Sequence, residues 1–111
     1  RCPSGRCCMS FADNLNALPD SEGKRLRLRN ADGIECAVIE NAPGTAGSFK
    51  LYAHLANKFD NITPQAAKLG IELYAEHTED ARQNPGKHPN IDRLLDCIAS
   101  KTRFDVLIER D

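Results

Sequence analysis

Two stretches of the chain are dense in side chains that could do chemistry. The first is Pro43-Gly-Thr-Ala-Gly-Ser48. Gly44 and Gly47 let consecutive backbone N–H groups converge, and a helix starting there adds positive partial charge. Thr45, Ser48 and Lys50 supply two hydroxyls and an ammonium beside them. That set suits a phosphate or a carboxylate. It is not the Walker pattern, because the spacing differs and no Lys-Ser/Thr pair follows Gly47. The competing reading is structural: a strand-to-helix turn in which Ser48 is an ordinary N-cap.

The second stretch is Glu76-His77-Thr78-Glu79-Asp80, with Arg82, the loop Asn84–Asn90, Asp92 and Arg93. His77, His88, Asp80 and Asp92 are its candidate acid–base groups. His77 and Asp80 are i,i+3 neighbours, so the carboxylate is placed to orient the imidazole. His88 precedes Pro89 in a constrained loop that is expected to fold back toward the end of the preceding helix. Two histidines and a carboxylate also suit zinc or iron. The spacing from His77 to His88 matches no metal motif, so no metal or other cofactor is expected. The structural alternative buries His77, uses His88 and Asn84 to tie the loop, and makes Asn90 the cap of the next helix, with Asp92 in its first turn.

Weaker features complete the search. Arg25, Arg27 and Arg29 line one strand face, a stripe that more often pairs with acidic neighbours such as Glu35 than with a polyanion. The chain has no Trp and two Tyr, which is poor material for stacking bases. Nucleic acid is therefore not an expected partner. Cys36 is expected to face the core and Cys97 to flank an apolar face, both as inert small hydrophobes. No Gly-x-Ser-x-Gly elbow is present.

These groups must be positioned by elements that the apolar spacing reveals. Phe11, Leu15 and Leu18 recur at helical intervals between Ser10 and Pro19, which predicts a helix over 11–18. Lys24-Arg-Leu-Arg-Leu-Arg29 alternates strictly, and Ile34, Cys36 and Val38 alternate on a return strand, so 24–40 is a β-hairpin. A three-residue loop with Gly33 left-handed is expected, pairing Leu28 with Cys36, Leu26 with Val38 and Arg29 with Glu35. A helix over 49–59 presents Phe49, Tyr52, Ala53, Ala56 and Phe59 on one face. Thr63-Pro64 marks the start of a third helix, expected to run unbroken to Gln83. Gly70 inside it costs about 1 kcal/mol relative to Ala, which a close helix approach would justify. Asn84-Pro-Gly-Lys-His-Pro breaks that helix, a fourth follows over 91–99, and Phe104, Val106 and Ile108 alternate as a third strand.

The implied fold is α+β, in the order αββαααβ. A three-stranded, mostly antiparallel sheet, made of the hairpin and the C-terminal strand, carries about four helices packed on one face. The 111 residues fit one domain, with 41% hydrophobic and 28% charged residues and a net charge of -1. No apolar run approaches a membrane span. Residues 1–8 lack hydrophobic periodicity and read as a disordered leader or read-through before Met9, leaving 9–111 as the domain. Without Arg1 and Arg6 the body holds 13 basic and 16 acidic residues. Cys2, Cys7 and Cys8 fall in the leader, and Cys36 and Cys97 make no disulfide framework, which suits a reducing cytoplasm.

The run Thr63-Pro-Gln-Ala-Ala, the segment Tyr74-Ala-Glu-His-Thr-Glu-Asp-Ala-Arg-Gln, and above all Pro85-Gly-Lys-His-Pro-Asn-Ile-Asp92 resemble a small uncharacterised family of bacterial proteins. The start Met9-Ser-Phe-Ala-Asp-Asn-Leu and the loop Pro43–Ser48 are similar to it as well. The resemblance implies a bacterial cytoplasmic setting and supplies no activity. The expectation is thus a small non-enzymatic interaction or ligand-binding module, met by a protein partner or a small anionic ligand, with a homodimer competing against a monomer. The rival is a small enzyme or phosphate-ligand-binding protein that uses the Gly44–Ser48 loop and the His77/His88 region together. Geometry separates them: the rival gains if the start of the second helix and the His88 loop open onto one cleft, and loses if His77 is fully buried.

Overall fold

Strand β1 (Arg25–Arg29) alternates arginine with leucine, and the sheet uses that alternation directly. Leu26 and Leu28 are fully buried, while the arginines point the other way. The computed structural model describes residues 11–18, 23–43 and 45–109. The leader 1–8, the Met9 start, the Ser10 cap, Pro19 and Gly44 lie outside the described residues. Strand β2 (Glu35–Glu40) pairs antiparallel with one side of β1, and β3 (Asp105–Glu109) pairs antiparallel with the other. The order is therefore β2-β1-β3, with the most strictly alternating strand in the centre.

The hairpin register differs from expectation in an instructive way. The loop Ala31–Gly33 forms, with Asn30 N–H donating to Ile34 O and Gly33 at φ 81°. Arg29 pairs with Glu35, as the three-residue loop requires. A β-bulge then intervenes, and Leu28 pairs with Ala37 and Leu26 with Ile39, not with Cys36 and Val38. The bulge reconciles two demands. Turn geometry sets the register at the tip, and burial of Ile39 (2% exposed) sets it along the strand. In consequence Cys36 is exposed, Val38 is 40% exposed, and Ile34 is 61% exposed. Cys36 and Val38 lie on the outer side of the sheet with the arginines, so the expectation that Cys36 faces the core is corrected.

Five helices, against about four expected, accompany the sheet: α1 (Phe11–Ala17), α2 (Ala46–Phe59), α3 (Pro64–Tyr74), α4 (Glu76–Gln83) and α5 (Pro89–Ser100). Helix α2 lies between the sheet and α3. Two-sided burial explains why Leu51 and Leu55 are fully buried along with Phe49, Tyr52 and Ala53, whereas a helical wheel picks out only one face. Each fully buried leucine contributes about 1.5–3 kcal/mol. Helix α3 starts as its sequence says: Thr63 Oγ1 accepts from Ala66 N–H, and Pro64 occupies the first turn. Gly70 sits where α3 crosses α2 and α5. A Cβ there would lie 2.7 Å from Leu94 Cδ1 and 2.9 Å from Leu55 Cδ1.

The helix expected to run to Gln83 breaks at Ala75, a non-glycine residue at φ 53°. Such backbone costs on the order of 1–3 kcal/mol and persists only where its surroundings hold it. Thr78, buried at the break, donates its hydroxyl to Ile71 O at 2.6 Å and satisfies a carbonyl near the interruption. Ala75 N–H tightens onto Glu72 O at 3.1 Å. The break re-aims α4, and with it His77.

The outer side of the sheet is held by charge. Arg25 reaches Glu40 (3.0 Å) and Glu109 (2.8 Å), and Arg27 reaches Glu35 (2.6 Å) and Glu109 (2.7 Å). Arg27 and Arg25 hold the Glu109 carboxyl at about 2, below its ordinary 4.5. A lowered folded-state pKa stabilises above the unfolded value and is lost on acidification. The variant E109Q should therefore be less stable than wild type above about pH 4.5, and the gap should close as the pH falls toward 2, measured by urea melts across that range. At the helix crossing, G70A should be destabilised by about 1 kcal/mol in the same assay, because displacing two buried leucines outweighs the gain in helix propensity.

Candidate functional site

The start of α2, the α4 helix and the turn into α5 converge on one cleft of about 370 Å³. Thr45 reaches it from the N-cap of α2 and Ser48 from that helix's first turn, Tyr74 from the end of α3, and His77 from α4. Lys87, His88, Pro89, Asn90 and Ile91 form the side made by the turn and α5, and Phe11 of α1 faces in as well. His77 is half-buried, so an imidazole borders the cleft from each of two elements. Their rings lie 5.7 Å apart. A second hollow of about 470 Å³ runs beside Ala81 and Leu95, with Asp92, Asp96 and Arg82 at its rim. It brings no imidazole and two carboxylates, which makes it the poorer setting for an anion.

The turn between α4 and α5 is built around one carboxylate. Asp80 Oδ2 lies 2.6 Å from His88 Nε2 and 3.0 Å from Lys87 Nζ. Asn84 Nδ2 donates to Asp80 Oδ1 at 2.9 Å. Hydrogen bonds from His88 and Lys87 hold the Asp80 carboxyl at about 2, so it is an anion at any ordinary pH. Asp92 fastens the same turn from the other side, accepting the Gly86 N–H at 2.9 Å. Gly86 itself takes φ 91°, a conformation that favours glycine. The loop thus folds back toward α4, as its two prolines and glycine suggest.

Two sequence expectations need correction here. Asp80 orients His88, not His77, because the loop brings a second imidazole closer than the i,i+3 neighbour on its own helix. Asn90 is not the cap of α5. His88 occupies that position, its carbonyl accepting from Ile91 and Asp92 N–H, and Asn90 lies inside the first turn.

The first stretch also changes role residue by residue. Ser48 is not the N-cap of α2, which begins at Ala46 after Thr45. It sits in the first turn, where the buried Tyr74 hydroxyl donates to its Oγ at 2.7 Å. Burial pushes the Tyr74 phenol up to about 12, with the Ser48 hydrogen bond acting against that shift. Thr45 Oγ1 donates to Glu40 O at 2.6 Å and ties the helix start to the end of β2. Gly47 is packed under α1, with Leu15 Cδ1 only 3.0 Å from the position of a Cβ. Lys50 does not border the cleft.

Helical-wheel reasoning missed Phe11 as a contributor, and it named Arg93 without its partners. Phe11 stacks on Tyr74 with ring centroids 5.1 Å apart at 17°, and stands perpendicular to the His77 ring at 5.0 Å and 85°. Its N–H donates to Glu76 Oε1 at 2.9 Å, which anchors α1 beside the cleft. Arg93 stands behind Asn90. It donates to Asn90 Oδ1 at 2.8 Å and to the Tyr52 hydroxyl at 3.4 Å, and lies over the Tyr52 ring at 5.9 Å. Tyr52 in turn donates to Asn90 O. The signal available in the sequence was that a buried Tyr hydroxyl needs a partner.

Among the described residues, no group of three or more His, Cys, Asp or Glu is arranged to hold a metal ion. Cys97 is buried, donating its thiol to Thr102 O at 2.9 Å, and burial pushes its pKa up. No described helix is long and apolar enough to cross a membrane.

Residues 11–108 match a family described as an uncharacterized protein conserved in bacteria (DUF2322). No curated protein and no solved structure matches the chain.

Removing the central carboxylate should release the turn. In D80N, amide exchange over residues 84–88 should accelerate relative to wild type near neutral pH, while the core amides of α2 stay protected. Wild type should show the same loosening only as the pH falls from about 4 toward 2, because the carboxylate must be protonated to lose His88 and Lys87.

Proposed function

The chain belongs to that bacterial family, and for it we propose the binding of a small anionic ligand, bearing a phosphate or carboxylate, in the His77/His88 cleft. The observation that carries this reading is convergence. The start of α2 and the His88 turn open onto one cleft, and His77 is not fully buried. Both helices that begin there are long enough to place positive partial charge at their N-termini. Lys87 borders the cleft, its ammonium shared with Asp80 at 3.0 Å. Because Tyr74 donates to Ser48 Oγ, the Ser48 hydroxyl hydrogen is left to donate to a ligand. The volume falls near the lower end of the usual range for small-molecule sites, about 300–1,000 Å³.

A second reading has its own observation. Asp80 at 2.6 Å fixes the His88 ring through Nε2 and leaves the other ring nitrogen for proton transfer. The same cleft would then act on its ligand as a general acid or base, with Asp80 as the positioning residue.

The test is a titration of the full chain with inorganic phosphate and pyrophosphate, followed by amide NMR. Saturable shifts should appear at Ser48, Phe49, His88 and Asn90 with a Kd below about 1 mM. H88A should weaken binding roughly tenfold, the size expected for one charge-assisted hydrogen bond. Absence of saturable shifts at these residues up to several times that concentration would contradict the reading.

A further inference from the structure

The cleft has an apolar side as well as a polar one, and the two together narrow the ligand. Phe11 is half-buried, stacked against Tyr74 and perpendicular to the His77 ring, yet it still borders the cleft. Pro89 borders it from the start of α5 and is exposed. Phe11 and Pro89 stand on different elements, α1 and α5, and both line the cleft, which therefore carries an aromatic and a proline surface. Helix α1 contains no fully buried residue. Its Phe11 is placed by one hydrogen bond to Glu76 and by ring contacts that all lie beside the cleft. A site for a bare inorganic anion has no use for such a wall, since apolar surface beside an ion gives it no solvation. A planar ring gains from it twice, through the area it covers and through stacking.

We infer that the ligand is an aromatic anion: a planar ring held between Phe11 and Pro89, joined to a phosphate or carboxylate that meets His88, Lys87 and the Ser48 hydroxyl. This rests on the reading of the cleft as an anion site and adds the ring. Ser48, Lys87 and His88 all line the same cleft as the aromatic wall. The head group is therefore reached by a ligand of one ring and one short link, in keeping with a cleft of about 370 Å³.

Four probes separate the two claims: phenyl phosphate against ethyl phosphate, and benzoate against acetate, each titrated into the full chain by amide and methyl NMR. The inference expects the aromatic member of at least one pair to bind about tenfold tighter than its aliphatic partner. The pair with the tighter aromatic member identifies the head group. In the bound state, ring protons should give NOEs to Phe11 and Pro89. F11L should cut the aromatic preference, read as the ratio of the aliphatic to the aromatic Kd, below about threefold. If aromatic and aliphatic partners bind equally in both pairs, this inference fails and the anion site stands. If none of the four gives saturable shifts, both fail. Should F11L not fold, the NOEs in wild type decide: a bound ring that contacts neither Phe11 nor Pro89 overturns the inference.

Discussion

The Asp80 carboxylate holds the segment that joins the last two helices, and the shape of the cleft follows from that hold. An ionised carboxylate in contact with an imidazole, an ammonium and an amide fixes three side chains at once. All three come from the loop, while the carboxylate comes from α4. The loop therefore cannot swing away from α4 without separating charge. Because His88 is also the capping position of α5, the same contact sets where α5 begins and which way Pro89 and Asn90 face. Asp92 then closes the turn from the far side through Gly86.

The rest of the architecture brings α2 and α1 to meet that turn. Gly70 lets α3 lie against α2 and α5 closely enough that Leu55 and Leu94 approach across it. Gly47 does the same for α1 over the start of α2. The break at Ala75 interrupts a helix that would otherwise carry His77 onward along the α3 axis. The strain there is held by Thr78 on Ile71 O and by Glu76 on the Phe11 N–H. The sheet contributes a rigid floor. Its inner side supplies Leu26, Leu28 and Ile39, and its outer side is locked by Arg25 and Arg27 on three glutamates.

Much of the fold was legible because single residues announce their backbone. Thr63-Pro64 marks a helix start by chemistry alone, Gly33 marks the left-handed residue of the hairpin loop, and Gly70 in an apolar stripe signals a close crossing. The hairpin register was not legible, because Cys36/Val38 and Ala37/Ile39 are both plausible apolar sets and only the core decides between them. The break at Ala75 has no Gly or Pro to betray it, since tertiary contacts hold the strain. At the site, the approach of the His88 loop to α4 followed from its composition. Which imidazole Asp80 would take did not, because a helical neighbour is visible in sequence and a folded-back loop partner is not. Phe11 escaped for the same reason, since its ring partners lie on other elements, and Arg93 was visible as a residue but its contact with the buried Tyr52 was not.

The central claim is that α1, the end of α3, α4 and the His88 turn form one continuous wall. An aromatic-edited NOE experiment on the ligand-free chain tests it most directly. The account expects cross-peaks from the Phe11 ring to both Tyr74 and His77, and from the His77 ring to His88, as centroid separations of 5.0–5.7 Å require. A His88 ring that shows no contact with His77, while Phe11 still contacts Tyr74, would mean that the turn stands away from α4. The two halves of the cleft would then not belong to one site.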